Sequence, residues 1–169
     1  MSEEKVGIAV LTISDTRDEA SDTSGAYLAG AVEADGHRLA AKRIVPDSIE
    51  AIREAVMAWA ADPAVDVIVS TGGTGLTGRD VTPEAVLPLF DKVIDGFPAV
   101  WHAISFDSIG LSTLQSRACA GIVKSTLVFC FPGSGGAVRD GWTKLLSKQL
   151  DRSTRPCNFV EIMPRLSER

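Results

Sequence analysis

The run Ser70-Thr71-Gly72-Gly73-Thr74-Gly75-Leu76-Thr77-Gly78 combines small side chains with a high density of backbone N–H groups. Glycine lets the main chain approach an oxyanion closely, and a helix starting just beyond adds the favourable end of its dipole. Such a segment suits phosphate; its structural alternative is a turn that needs positive φ. Asp80 follows closely. A carboxylate beside phosphate is repulsive unless a cation intervenes, and Mg²⁺ commonly sits between one or two carboxylates and substrate phosphates. In a plain structural role Asp80 caps a turn or the next helix. Asp47 offers a second carboxylate, as a metal ligand or as the cap of an Asp47-Ser48-Ile49-Glu50 capping box. Asp15 and Asp22 lie in a polar stretch, residues 14–24, and have turn readings too. Arg17, Arg79 and Arg139 either neutralise an anionic substrate or stay solvated. Residues 132–137 are a second glycine-rich stretch, carrying Gly133 and Ser134.

Other chemistries find less support. The ATP-binding P-loop needs Gly-Lys-Ser/Thr, and this loop has no lysine. Gly73, Gly75 and Gly78 match G-x-G-x-x-G literally, and Asp95 falls near the spacing of a ribose contact. That fingerprint enters its helix at once and belongs to a first strand, whereas here Arg79-Asp80-Val81 intervenes and the strand is the third. A dinucleotide oxidoreductase is therefore a minor alternative. His37 and His102 match no ligand spacing and read as surface or satisfied core residues. Trp59, Trp101 and Trp142 lie on helical stripes, as core or interface residues. Cys119, Cys130 and Cys157 are odd in number with no C-x-x-C pair, against structural zinc or a disulfide framework and in favour of a reducing cytoplasm.

These residues need elements to position them. Residues 6–13 are nearly all apolar and β-rich, a strand buried on both faces. Residues 25–35 read as a helix stopped by Gly36, residues 37–45 as a strand, and the segment from Ile49 to Asp62-Pro63 as an amphipathic helix. A short strand follows over 65–69, then the glycine-rich loop over 70–81, then a helix opened by Thr82 as cap with Pro83 at its first position. Helical spacing recurs over 98–106 and again from Val138 to Leu146, and a strand centres on 126–131 within 121–131. Alternation of strand and helix predicts an α/β fold with a mostly parallel sheet covered by helices on both faces. Right-handed crossovers bring the loops 14–24, 46–48, 70–81 and 132–137 to one sheet edge, where open α/β sheets bind ligands.

The chain has 169 residues, 45% hydrophobic and 23% charged, which fits one globular domain. Its net charge of −5 argues against a general nucleic-acid binder and against adsorption to anionic membranes. The longest wholly apolar run, residues 55–61, is far short of the roughly 20 residues a membrane-spanning helix needs. Met1-Ser2-Glu3-Glu4-Lys5 has no signal-peptide pattern.

Taken together, Val69-Ser70-Thr71-Gly72-Gly73-Thr74-Gly75, Arg79-Asp80-Val81-Thr82-Pro83-Glu84-Ala85 and Phe131-Pro132-Gly133-Ser134-Gly135-Gly136-Ala137 resemble the MoaB/Mog family of molybdenum-cofactor biosynthesis proteins. Ser14-Asp15 and Asp22-Thr23-Ser24-Gly25 add to the likeness. Ser112-Thr113-Leu114-Gln115-Ser116-Arg117-Ala118 and Thr154-Arg155-Pro156-Cys157-Asn158-Phe159 look most like the MoaB branch. Gly135 stands where the family often has proline, and the first loop departs from the spacing S-D-x-x-x-x-G.

The resemblance covers nearly the whole chain and implies one three-layer α/β/α domain over residues 1–169 that forms homotrimers or homohexamers. It implies molybdopterin binding and, for active members, adenylylation of molybdopterin by Mg-ATP. The terminal phosphate of molybdopterin attacks the α-phosphorus of ATP and pyrophosphate leaves. Asp47 and Asp80 match the catalytic, magnesium-linked carboxylates. Thr71, Gly72, Gly73, Thr74, Gly75, Gly133 and Ser134, with Ser14, Asp15, Asp22 and Ser24 from the first loop, match the nucleotide and pterin-phosphate site. A non-catalytic molybdopterin carrier of the same pathway is the alternative.

Overall fold

The computed structural model describes residues 5–168; the reading of Met1–Glu4 as free of a signal sequence lies outside them. In chain order the strands are β1 (Gly7–Ile13), β2 (Arg38–Val45), β3 (Val67–Thr71), β4 (Lys92–Val93), β5 (Cys119–Val123) and β6 (Thr126–Phe131). The helices are α1 (Thr23–Ala34), α2 (Ile49–Ala60), α3 (Thr82–Val86), α4 (Gly96–Ile109), α5 (Gly135–Asp140), α6 (Ser147–Gln149) and α7 (Phe159–Ile162). A π-helical stretch, Gly141–Leu146, joins α5 to α6. The strands form one six-stranded sheet of order β2-β1-β3-β6-β5-β4, in which β2, β1, β3 and β6 are parallel and β5 and β4 are antiparallel additions.

β1 shows why the sheet must be covered twice. All seven of its residues are buried. Ile8 and Val10 pack with Leu28 and Val32 of α1, Trp101 of α4 and Val138 of α5. Ala9, Leu11 and Ile13 pack on the opposite face with Ile52 and Val56 of α2 and Val86 of α3. The alternation is the two-residue period of a strand, with apolar residues at both phases. The architecture is the α/β fold expected, helices on both faces of a mostly parallel sheet.

The central strands then hold the walls of a cleft. Phe131 at the end of β6 meets the rings of Phe97 and Trp101 edge-on at 5.4 and 5.3 Å, which seats α4. Gly141 lets the helix after β6 approach as closely, since a Cβ there would fall 2.4 Å from the Phe131 ring.

Several local expectations are corrected. The strand expected at 126–131 is β6, but the residues before it form a further strand, β5, and the two make a hairpin turning at Lys124, whose φ of 57° is unusual for a non-glycine residue. Its amide donates to Asp91 Oδ2, so a contact distant in sequence sets the turn. Thr82 does not cap α3: its hydroxyl donates to the Gly72 carbonyl instead. Asp47 does not cap α2. Ser48 is the N-cap, accepting from the Ala51 amide.

Candidate functional site

Release from the cap leaves the Asp47 carboxylate available to the sheet edge. Asp47 Oδ2 accepts the Asp15 amide at 3.0 Å, and Asp15 Oδ1 accepts the Asp47 amide at 2.9 Å. This reciprocal brace ties the loop after β1 to the loop after β2. A Cβ built on Gly73 would lie 3.4 Å from Asp47 Oδ1, so the second oxygen of Asp47 borders the glycine loop.

Asp80 borders the same loop two residues on. A Cβ on Gly75 would lie 2.6 Å from Asp80 Oδ2. That oxygen accepts the Thr77 amide and hydroxyl, so Asp80 closes a tight turn over the loop. The two carboxyls titrate in opposite directions. Burial pushes Asp47 up, and the negative charges of Asp15 and Asp80 add to this, opposed by the Asp15 amide and by Arg79. Burial also pushes Asp80 up, but hydrogen bonds from Thr77 and the Gly75 amide, with Arg117, outweigh it and hold its pKa below the ordinary value.

The loop is pinned from every side. Gly72 has φ of 106° and a Cβ there would fall 2.2 Å from the Ile13 carbonyl oxygen, so this position requires glycine. Its amide donates to the Phe131 carbonyl, and its own carbonyl accepts Thr82. Thr71 Oγ1 donates to the Pro132 carbonyl, which links the loops after β3 and β6. Ser24 Oγ donates to the Gly133 carbonyl and links α1 to the same place. Among the described residues, the amides of Gly73, Thr74, Gly133 and Ser134 donate to no protein acceptor. They remain open for an anion at the strand ends.

The expected residues fall into three groups. Gly72 through Gly75, Asp80, Gly133 and Ser134 line a cleft of about 540 Å³ between the loops, α4 and α5. Asp15 and Asp47 lie outside that lining, braced against each other next to Gly73. Ser14, Asp22, Ser24 and Thr71 act as supports. Ser14 Oγ accepts two amides of its own loop. The Asp22 carboxylate, 1% exposed, caps α1 through the Gly25 amide, accepts the Thr12 hydroxyl and lies 3.4 Å from Lys42 Nζ. Ser134 caps α5 through the Ala137 amide. Arg17 and Arg139 are spent locally, on the Ser21 carbonyl and over the Tyr27 ring.

Arg117 was not among the arginines singled out as anion ligands, yet it organises the loop. It donates to the carbonyls of Gly75 and Asp80 and pairs with Glu84, while its amide donates to Thr74. The signal available in the sequence was only its place in Ser112–Ala118, a segment that looks most like the MoaB branch. α4 supplies further wall residues, including Ser105 and Ser108, that the loop motifs could not indicate.

Comparison with known proteins identifies the family. Residues 9–152 match the family described as "Probable molybdopterin binding domain". The chain is 51% identical over 152 residues to molybdenum cofactor biosynthesis protein B of Escherichia coli K12, covering 90% of this chain and 89% of that protein. A crystal structure of a molybdenum cofactor biosynthesis protein B superposes with a TM-score of 0.89 at 39% identity over all of both chains. The tungsten cofactor synthesizing protein MoaB of Pyrococcus furiosus superposes at 0.75 with 32% identity, covering 98% of this chain and 99% of that one. The chain therefore belongs to the MoaB/Mog family of molybdenum-cofactor biosynthesis proteins.

Proposed function

We propose that this protein binds molybdopterin in the cleft and adenylylates it from Mg-ATP. A terminal phosphate oxygen of molybdopterin forms a bond to the α-phosphorus of ATP, the bond from that phosphorus to the β-bridging oxygen breaks, and pyrophosphate leaves. The observation that carries this reading is the placement of two carboxylates, Asp47 and Asp80, against Gly73 and Gly75 beside amides with no protein acceptor. Phosphoryl-type transfer needs positioning and charge neutralisation more than covalent participation by the protein.

The donor set fits magnesium. Among the described residues no group of three His, Cys, Asp or Glu forms a metal cage, and Mg²⁺ usually takes one or two carboxylates and completes its shell with phosphate and water. Asp47 and Asp80 would hold it, and it would supply neutralisation of the polyphosphate charge. Burial, with smaller contributions from the Asp15 and Asp80 charges, raises the Asp47 pKa, and this crowding of carboxylates favours a cation there. The Gly73 and Thr74 amides bind phosphate oxygen, and Arg117 keeps the loop in the conformation that presents them.

We take the assembly to be the trimer or hexamer implied by the resemblance. Exposed Phe106, Ile109, Leu111 and Leu114, at the end of α4 and just beyond it, are the apolar surface that association would cover. The residues described contain no helix long and apolar enough to cross a membrane, and we place the reaction in the cytoplasm.

The test is incubation of purified protein with molybdopterin and Mg-ATP. Formation of molybdopterin-AMP with one pyrophosphate per product supports the reading. Tight binding of molybdopterin without pyrophosphate release assigns the protein as a carrier instead.

A further inference from the structure

Beyond the phosphate end, the cleft runs between α4 and α5, and there it carries a second carboxylate besides Asp80. Asp140, at the last position of α5, brings a carboxylate to the wall. It lies six residues beyond the N-cap Ser134, a rise of about 9 Å along a helix. This anionic group therefore stands well away from the open amides, which suit an anion.

The partners of Asp140 leave it room to accept more. Oδ2 accepts the Ser108 hydroxyl at 2.6 Å, and Oδ1 lies 3.0 Å from Lys144 Nζ. An ionised carboxylate has about four acceptor positions, so each oxygen keeps one. Burial pushes the Asp140 pKa up, but Ser108 and Lys144 outweigh it and keep the group ionised at neutral pH. Ser105 lines the same wall and is only 4% exposed. Among the described residues no hydrogen bond ties up its hydroxyl, and it is not among the wholly buried polar atoms, so it can meet a ligand from the cleft wall.

A carboxylate with one free position on each oxygen matches a ligand edge that offers two adjacent N–H donors. The 2-amino and N3–H groups of a pterin are such an edge. The corresponding edge of adenine sets one donor beside one acceptor, and that acceptor would meet a carboxylate lone pair. We propose that Asp140, supported by Ser105, reads the 2-amino and N3–H edge of the pterin ring and makes this end of the cleft selective for pterin over adenine. This rests on the reading that molybdopterin is the substrate of the cleft. It adds which end takes the ring and which residue discriminates.

The test compares pterin with lumazine, in which a carbonyl oxygen replaces the 2-amino group. Binding of each is measured by fluorescence titration to wild type, D140N, S105A and K144Q, with thermal melts to verify folding. Wild type is expected to bind pterin about 10- to 100-fold more tightly than lumazine, the range for a hydrogen bond to a charged group. D140N is expected to lose that preference while Mg-ATP affinity is unchanged. S105A weakens pterin binding, and K144Q, which keeps the carboxylate, retains the preference. Equal binding of the two rings by wild type, or a preference that survives in folded D140N, overturns the proposal. Wild type that adenylylates molybdopterin yet shows no ring preference refutes this proposal alone, whereas wild type that fails to bind molybdopterin refutes the substrate reading and this proposal with it.

Discussion

Asp47 and Asp80 are the same side chain placed in two different environments. Asp80 is tied down by Thr77 and stays charged to low pH. Asp47 keeps Oδ1 beside Gly73, and burial with the neighbouring Asp15 and Asp80 charges makes its ionised form less favourable. In the function proposed above, a cation would supply what this pair lacks. Asp80→Ala is expected to lower molybdopterin-AMP formation at least about 100-fold, the scale for losing one preorganised electrostatic contact. Its melting temperature should change little, because the lost bonds serve an exposed turn. Wild-type turnover in that variant would count against the assignment. The pH dependence follows from Asp47. Its proton competes with the metal, so apparent Mg²⁺ affinity should weaken on acidification at a pH above the ordinary Asp range. Titration of Mg²⁺ binding between pH 7 and 4 checks this, and Asp47→Asn should remove the dependence along with much of the affinity.

At the scale of elements, the site is an outcome of how β3 ends. The chain leaves the sheet through Gly72, whose amide is taken by Phe131 and whose carbonyl is taken by Thr82. The start of α3 is thereby stitched back to the strand end. Thr82→Val keeps the shape and leaves the buried Gly72 carbonyl short of a partner, which should cost about 1–3 kcal/mol in denaturant unfolding. Gly72→Ala should cost about 3 kcal/mol or more, since it meets both the positive φ and the Ile13 carbonyl. The hydroxyl and glycine content of residues 70–82 marked this loop as a candidate ligand segment. The partners were not legible, because Asp47 and Ser48 are equally good caps by residue type, and Thr82 is a far better one than the Val81 that holds the N-cap position; only the packed positions of the loops decide. Lys124 shows the same limit: nothing local marks it as a turn, and Asp91 fixes it from another part of the chain.

Over the whole molecule, the order of the sheet gathers what the chain disperses. The parallel core of β2, β1, β3 and β6 places four successive loops at one edge, and this was readable from the alternation of strand and helix. The antiparallel extension by β5 and β4 was not, yet it carries the segment that brings Arg117 across to the glycine loop. That arrangement also sets the acid response. The Arg117 guanidinium holds the Glu84 carboxyl below its ordinary value, and Asp80 and Asp140 are held low as well. Such groups bind protons less readily folded than unfolded, so they contribute stability above the unfolded carboxyl range and lose it as pH falls through their folded values. Asp47 acts in the opposite sense, and protonation there favours the fold. Melting temperature should therefore drop below pH about 4, and less steeply in Glu84→Gln.

The role of the two carboxylates is decided by a pyrophosphate-release assay with molybdopterin and ATP, run with and without Mg²⁺ on wild type, Asp47→Asn and Asp80→Ala. Release is expected to require molybdopterin and magnesium together and to collapse in both variants while their folds persist. Release that proceeds undiminished in either folded variant, or that needs no magnesium, would contradict that role.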